Sequence, residues 1–144
     1  MKRRVVITGL GAITPVGNTV HEFWQAICEG KSGVSKVTRF DISNYDSKIA
    51  AEVKNFEPEK YIDKKSAKRM DGFVQYAIAA ARMAIEDAKI DISKEDCNRI
   101  GVIVGSGIGG ISVLEDQHRI LLEKGPNRIS PFFIPMLIIN MASG

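Results

Sequence analysis

The feature that most constrains the fold is an apolar run that leads directly into a cluster of glycines, within residues 98–110. The segment 100–104 contains isoleucine, valine and one glycine with no polar residue, which is typical of a strand buried on both faces of a sheet. Four of the six residues at 105–110 are glycine, so the backbone there lets another group approach closely. The sequence therefore predicts a central strand that ends in a glycine loop, a name we keep for residues 105–110.

The glycine loop allows three interpretations. Its G-x-G-x-x-G spacing between a strand and a helix fits a dinucleotide-binding turn, but such a turn normally has an acidic residue about 20 positions further on. This chain has Ser130 and a proline in that region. The glycines can also form a purely structural turn, or line a channel through which substrate passes. We favour the channel because of the motifs described below.

The composition predicts one soluble globular domain. The chain has 144 residues, 44% of them hydrophobic, and a net charge of +3 at pH 7. It contains neither an apolar run long enough to span a membrane nor a signal peptide, so we expect a cytoplasmic protein with no membrane insertion. The mild charge, without interleaved basic and aromatic residues, does not indicate nucleic-acid binding.

Hydrophobic periodicity predicts three helices. A helix over 20–29 is capped by Thr19 or the residue before it and is ended by Gly30. The longest helix, over 64–89, begins after the N-cap Asp63, and its alanine-rich middle allows another helix or a sheet to approach closely. The other predicted elements are a helix at 110–123, strands at 3–7 and 48–53, a glycine-punctuated loop at 8–17 and a capped helical turn at 93–98.

The start of the longest predicted helix is basic. Four cations stand there: Lys64, Lys65, Lys68 and Arg69. The partial positive charge of a helix N-terminus disfavours each first-turn cation by roughly 0.3 to 1 kcal/mol, so stability alone would favour acids at these positions. The run is either a solvated charged surface or a docking surface for an acidic or phosphate-bearing partner.

The last residues of the sequence are unusually apolar. Eight of the eleven residues at 131–141 are apolar, whereas chain termini are usually polar and loosely held. Such a patch needs to be covered by further residues or by another chain. We therefore expect the chain to be a fragment of a longer protein.

The cysteines and histidines lack activating neighbours in the sequence. Cys28 and Cys97 each lie beside an acidic residue, which does not stabilise a thiolate. His21 and His118 fall on surface positions of predicted helices. The absence of a C-x-x-C pair argues against a structural zinc site and fits a reducing compartment.

Four short motifs occur along the chain in a characteristic order. They are Val-Val-Ile-Thr-Gly-Leu-Gly-Ala-Ile-Thr-Pro-Val-Gly-Asn from Val5, Met-Asp-Gly-Phe-Val-Gln-Tyr-Ala from Met70, Gly-Ser-Gly-Ile-Gly-Gly from Gly105 and Ser-Pro-Phe-Phe-Ile-Pro from Ser130. Together they resemble the β-ketoacyl-[acyl-carrier-protein] synthase II family. The resemblance implies that residues 1–144 are about the first third of a family member, an incomplete N-terminal domain that stops before the segment with the nucleophile.

The resemblance implies an α/β, thiolase-like fold with αβαβα layers, built as a homodimer, of which this chain is most of the N-terminal half. The implied reaction of fatty-acid synthesis is a decarboxylating Claisen condensation of an acyl-enzyme with malonyl-carrier protein. A cysteine and two histidines perform it in the family, and none of the three has a counterpart in this chain. We therefore expect these 144 residues alone to be inactive. Substrates would arrive on the phosphopantetheine of acyl carrier protein, with no further cofactor and no metal.

The resemblance also implies roles for residues that are present. Gly107 and Ile108 match the loop beside the acyl pocket, with Ile108 at the position that gates the entry of long chains. Phe133 matches a residue that lines the acyl pocket of the partner subunit. The family's basic surface for the acidic carrier protein corresponds to four residues: Lys65, Lys68, Arg69 and Arg128.

The sequence is also compatible with two other functions. The chain can belong to a non-catalytic or polyketide relative of the same fold, which the residue at the nucleophile position, after Gly144, would reveal. It can also be a small nucleotide-binding module that uses residues 105–110, which binding of nicotinamide or flavin would reveal.

Overall fold

The computed structural model of the chain describes residues 3–144. Its regular elements are α1 (Val20–Cys28), β1 (Val34–Lys36), β2 (Ile49–Ala51), α2 (Lys64–Ala67), α3 (Gly72–Ala88), α4 (Ile111–Lys124) and α5 (Phe133–Leu137). Short 3₁₀-helical segments lie at Pro58–Lys60, Ile92–Lys94, Cys97–Arg99, Pro126–Arg128 and Ile139–Ala142.

The described residues form two compact units. The first combines residues up to Glu57 with Ala80–Lys89, and the second combines Pro58–Ala79 with Ile90–Gly144. Helix α3 contributes residues to both units.

Helix α1 of the first unit begins and ends where its capping residues predict. The Thr19 hydroxyl accepts a hydrogen bond from the Glu22 backbone N–H at 3.1 Å, and Gly30 has a φ of +68° just after the helix. The predicted apolar stripe does not become a core in these residues: only Ala26 is buried on α1, and Trp24 is 65% exposed. Periodicity located the helix, but burial also requires an element that covers the stripe.

The small sheet of the first unit is an antiparallel pair in which Val34 lies opposite Ala51. The prediction of a strand at 48–53 is confirmed by β2, whereas β1 was not predicted because three residues are too few for a pattern. The Glu52 carboxylate, just after β2, holds the chain that follows β1. It accepts hydrogen bonds from the Thr38 backbone N–H at 3.1 Å and from the Thr38 hydroxyl at 2.7 Å.

The glycine-punctuated loop at 8–17 is confirmed, and it packs directly on the alanine-rich part of α3 that belongs to the first unit. A Cβ at Gly11 would collide with the backbone of Ala80, and one at Gly9 would collide with that of Ala84. The Leu10 backbone N–H donates to the Asp87 carboxylate at 2.9 Å. Small residues on both sides therefore allow this close approach, and the neighbour is a loop where the alanine pattern predicted a helix or a sheet.

The prediction of one helix over 64–89 is wrong, because the chain forms α2 and then α3. The break follows Ala67, and the Asp71 carboxylate starts α3 by accepting a hydrogen bond from the Phe73 N–H at 3.3 Å. The Gln75 side-chain amide donates to the carbonyl oxygens of Ala67 and Met70 at 2.9 and 3.2 Å. Local side-chain bonds thus replace the helical bonds lost at the break.

The predicted strands at 3–7 and 100–104 are wrong for these residues. Among residues 3–144 the strand pairing is confined to β1, β2 and an isolated bridge between Thr14 and Gly17. Val5 is 91% exposed and Ile103 is 99% exposed. The apolar pattern records a tendency to be buried, but a strand also needs a hydrogen-bonding neighbour, and no described residue supplies one.

The second unit contains the small core around the start of α3. Ile62, Ala67, Val74 and Ala79 are buried there. The predicted helix at 110–123 is confirmed by α4, which ends at Gly125 with a φ of +80°. The predicted helical turn at 93–98 appears as two 3₁₀ segments, capped by the carboxylates of Asp91 and Asp96.

Candidate functional site

The basic residues around α2, Lys64, Lys65, Lys68 and Arg69, line an open depression of about 450 Å³, which we call the cationic surface. Because α2 stops at Ala67, only the two lysines that begin the helix stand at its N-terminus. Lys68 is the C-cap and Arg69 follows it, where the helix dipole favours positive charge. The expectation that all four cations oppose the dipole is therefore wrong for half of them.

Helix α2 is held by its N-cap, Asp63, as the sequence predicted. The carboxylate accepts hydrogen bonds from the backbone N–H groups of Lys65 and Ser66 at 3.1 and 2.9 Å. The side chain of Ser66 and then its backbone N–H hold the pKa of Asp63 below its ordinary value of 3.8. This fixes the turn that presents the cations.

The positive charge of the cationic surface is largely uncompensated. Lys64 lies 3.7 Å from Glu59, in a pair with both side chains mostly exposed. Within residues 3–144 no acidic side chain pairs with Lys65, Lys68 or Arg69. An exposed, unpaired cluster of this kind attracts anionic partners at low salt.

Arg69 also contacts the apolar segment at 131–141. Its guanidinium carbon lies 4.4 Å from the centre of the Phe132 ring, within the range of a cation–π interaction. Arg128 is exposed in the 3₁₀ segment four residues before Phe132. Four residues span at most about 14 Å, which limits the distance between the Cα atoms of Arg128 and Phe132.

Hydrogen bonds of Ser130 hold the start of the segment that carries Phe133. The Ser130 backbone N–H donates to the Gln117 side-chain oxygen of α4 at 2.8 Å, and the Ser130 hydroxyl accepts from the Phe132 N–H at 3.2 Å. Phe133 then begins α5 and is half-buried, while Ile134 is exposed. The apolar residues of 131–141 are thus only partly covered within the described residues.

The glycine loop divides into an open half and a packed half. A Cβ at Gly107 would meet nothing within 4 Å, and Ile108 is 67% exposed. In contrast, Gly109 has a φ of +82°, and the Gly110 N–H donates to the Leu137 carbonyl oxygen of α5 at 3.0 Å. The glycines at the helix start are therefore required by close packing of α5.

The described residues lack the strand that the dinucleotide interpretation requires. In such a turn the glycine loop directly follows a strand of a parallel sheet, and the glycine nearest the helix allows close packing. Gly110 has such a close contact, but with the backbone of Met136 and Leu137. Within residues 3–144 no strand directly precedes the loop, which argues against that interpretation.

The predicted site residues thus fall into one connected region of the second unit. The structure brings Arg69 of the cationic surface onto Phe132, the neighbour of Phe133, and links α5 to the loop that carries Ile108. Phe132 and Gln117 were not predicted to contribute, because their contacts join residues far apart in sequence.

Other chemical groups show no comparable arrangement. Cys28 and Cys97 are exposed, as are His21 and His118. Residues 3–144 contain no group of three or more His, Cys, Asp or Glu side chains placed to hold a metal ion. Across the same residues, no helix combines the length and apolar character needed to cross a bilayer.

The architecture is that of the ketosynthases. A type II polyketide ketosynthase, solved in complex with its acyl-carrier protein and bound to the hexaketide, superposes on 100% of this chain and 38% of its own with a TM-score of 0.81 at 30% identity. The predicted α/β, thiolase-like fold is therefore confirmed, and this chain represents part of it.

The sequence relatives define the family. Residues 2–144 match the family described as "Beta-ketoacyl synthase, N-terminal domain", and the chain belongs to it. The chain is 54% identical over 143 residues to the 3-oxoacyl-[acyl-carrier-protein] synthase 2 of Synechocystis and 53% identical over 142 residues to that of Staphylococcus aureus. Each alignment covers 99% of this chain but 34% of the relative, so the chain spans about a third of the curated relatives' length.

Proposed function

We propose that these residues serve as the N-terminal part of a 3-oxoacyl-[acyl-carrier-protein] synthase of fatty-acid biosynthesis, which joins an acyl-enzyme to malonyl-carrier protein by decarboxylating Claisen condensation. The observation that carries the proposal is the identity of 53 to 54% with two relatives of that name, over 99% of this chain. The proposal assigns the nucleophile and the two histidines to residues outside this segment, which spans about a third of those relatives. The segment alone is then inactive.

The first contribution of the segment is to dock acyl carrier protein. Lys65, Lys68 and Arg69 are unpaired with acids, and Arg128 lies within reach of the same surface. Exposed cations accelerate encounter with an acidic partner and orient it, with an effect that falls as salt rises. The solved ketosynthase that this chain resembles was captured with its own acyl-carrier protein, which supports a partner of this class. The substrate then arrives on phosphopantetheine, and no other cofactor takes part.

The second contribution is to the acyl pocket. Ile108 is a large apolar side chain on the open half of the glycine loop, next to Gly107, and its exposed surface is available to an entering acyl chain. Phe133 stands in a segment whose apolar neighbours remain exposed. A second copy of the protein would cover them, so we assign Phe133 to the acyl pocket of the partner subunit in a homodimer.

Charge reversal tests the docking surface. The double variant Lys65→Glu with Lys68→Glu should weaken binding of acyl carrier protein, and the loss should shrink as ionic strength rises. Lys36→Glu with Lys54→Glu is the matched control, because it changes the net charge equally at exposed positions of the first unit. Equal affinities of the two double variants at low salt would reject the docking surface.

A polyketide ketosynthase is the second candidate, favoured by the TM-score of 0.81 with the type II polyketide enzyme. The sequence identity to that enzyme is 30%, against 54% for the synthase of Synechocystis, so the fatty-acid function is the better supported. The products separate the two: a single condensation yields one 3-oxoacyl-carrier protein, whereas a polyketide enzyme extends the unreduced chain repeatedly.

A further inference from the structure

We propose that Arg69 is a positioning residue that transmits docking of the carrier protein to the acyl-pocket loop through Phe132, an inference that rests on the proposed function. The structure provides a continuous series of contacts, from the cationic surface through α5 to the glycine loop. All of them lie within the second compact unit. The proposed consequence is that docking does more than bring the acyl chain close to the enzyme: it also accelerates transfer of the acyl chain to the enzyme.

The first step is a change in the groups that Arg69 contacts when the carrier protein docks. In this structure its guanidinium faces the Phe132 ring at 4.4 Å, and no described acid competes for it. A carboxylate or phosphate of a docked carrier would offer bidentate, charge-assisted hydrogen bonds, which are stronger than contact with a ring face. Docking therefore shifts Arg69 and, through their contact, the Phe132 ring.

The second step joins Phe132 to α5. The Phe132 carbonyl oxygen accepts a hydrogen bond from the Met136 N–H at 3.0 Å, and its own N–H donates to the Ser130 hydroxyl. Phe132 is thus the N-cap of α5 and directly precedes Phe133. A displacement of the Phe132 ring therefore displaces the first turn of α5, which carries Phe133.

The third step joins α5 to the glycine loop. The Leu137 carbonyl oxygen at the end of α5 accepts from the Gly110 N–H at 3.0 Å, and Gly109 leaves no room for a side chain between loop and helix. Ile108 is 67% exposed, so the described residues leave most of its side chain uncovered, while the packed half holds the loop on α5. A displacement of α5 thus reaches the residue proposed to gate the acyl chain.

The variant that isolates this connection is Phe132→Leu in the complete polypeptide that carries these residues. It leaves all four cations in place and retains an apolar side chain of moderate size. Initial rates of enzyme acylation are compared for one acyl group presented on carrier protein and on free pantetheine. Losing the cation–π contact should reduce the ratio of the carrier-borne to the free-donor maximal rate by about two- to fivefold. The KM for acyl-carrier protein should stay unchanged.

Three further variants separate positioning from general damage. Phe132→Tyr keeps an aromatic face for Arg69, so the wild-type ratio should return. Arg69→Gln should reduce the ratio and also raise the KM, because it removes a docking charge. Combining Arg69→Gln with Phe132→Leu should reduce the ratio no further than Arg69→Gln alone, since both remove one contact.

Each outcome decides the inference. An unchanged ratio in Phe132→Leu, or an equal fall with both donors, would overturn it while leaving the docking surface intact. If Lys65→Glu with Lys68→Glu left the KM for acyl-carrier protein unchanged at low salt, the docking surface itself would fail, and this inference with it. A selective fall in the ratio at constant KM supports the connection.

Discussion

The packing of the glycine loop on α5 makes a sharp prediction for Gly110→Ala. Gly110 has φ −82° and ψ 61°, so its conformation does not itself demand glycine. The added methyl group would instead collide with the Met136 carbonyl oxygen and meet the Leu137 Cα at 3.1 Å. These are backbone atoms, which can move away only if α5 is displaced.

The expected change in the free energy of unfolding follows from three terms. Overpacking of a close contact costs about 1 to 3 kcal/mol, and loss of the bond from Gly110 N–H to the Leu137 carbonyl adds about 1 kcal/mol. Alanine also reduces the conformational entropy of the unfolded chain, which offsets the destabilisation by about 0.4 to 1 kcal/mol. Gly110→Ala should therefore lower the free energy of unfolding by about 1 to 4 kcal/mol.

The matched control is Gly107→Ala, because nothing lies within 4 Å of the added methyl group. Its free energy of unfolding should stay within about 0.5 kcal/mol of the original. Urea unfolding of both variants, with hydrogen exchange at the Gly110 amide in the parent protein, measures the difference. Equal urea midpoints, or rapid exchange at that amide under native conditions, would refute the packing of α5 on the loop.

Two further predictions concern the first unit. Thr19→Ala removes the side-chain cap of α1 and should lower the free energy of unfolding by about 1 kcal/mol in urea titration, whereas Thr19→Ser should not. The side chain and backbone N–H of Thr38 hold the pKa of Glu52 below its ordinary value of 4.5, so this carboxylate stabilises the fold above that value and the contribution disappears as pH falls through the lowered pKa. Glu52→Gln should lack this acid-induced step in stability, and a step of unchanged size in the variant would contradict the assignment.

Elements that depend on neighbours in sequence were predictable. The caps at Thr19 and Asp63 act within three residues, so their residue types indicate where α1 and α2 begin. The break after Ala67 also had a local signal that periodicity concealed: Asp71 is a typical N-cap residue, and it begins a new helix.

Elements that depend on distant residues were not predictable in the same way. Residues 100–104 have the composition of a buried strand, yet Ile103 is exposed because none of the described residues pairs with this segment. Composition reports the environment a segment favours, whereas pairing is a property of the whole fold.

The candidate site shows the same division. The sequence showed the basic run at Lys64, Lys65, Lys68 and Arg69, and in the structure these four residues line one depression. The contact between Arg69 and Phe132 was not visible, because it joins residues far apart in the chain. The roles of Ile108 and Phe133 in an acyl pocket stay predictions.

The most direct test of the proposed function is the intact mass under denaturing conditions, before and after incubation with a long-chain acyl-carrier protein. We predict that the complete polypeptide gains one acyl group. The separate 144-residue segment should gain none, because exposed Cys28 and Cys97 each lie beside an acidic residue. Acylation of the separate segment, or no acylation of the complete polypeptide, would contradict the account.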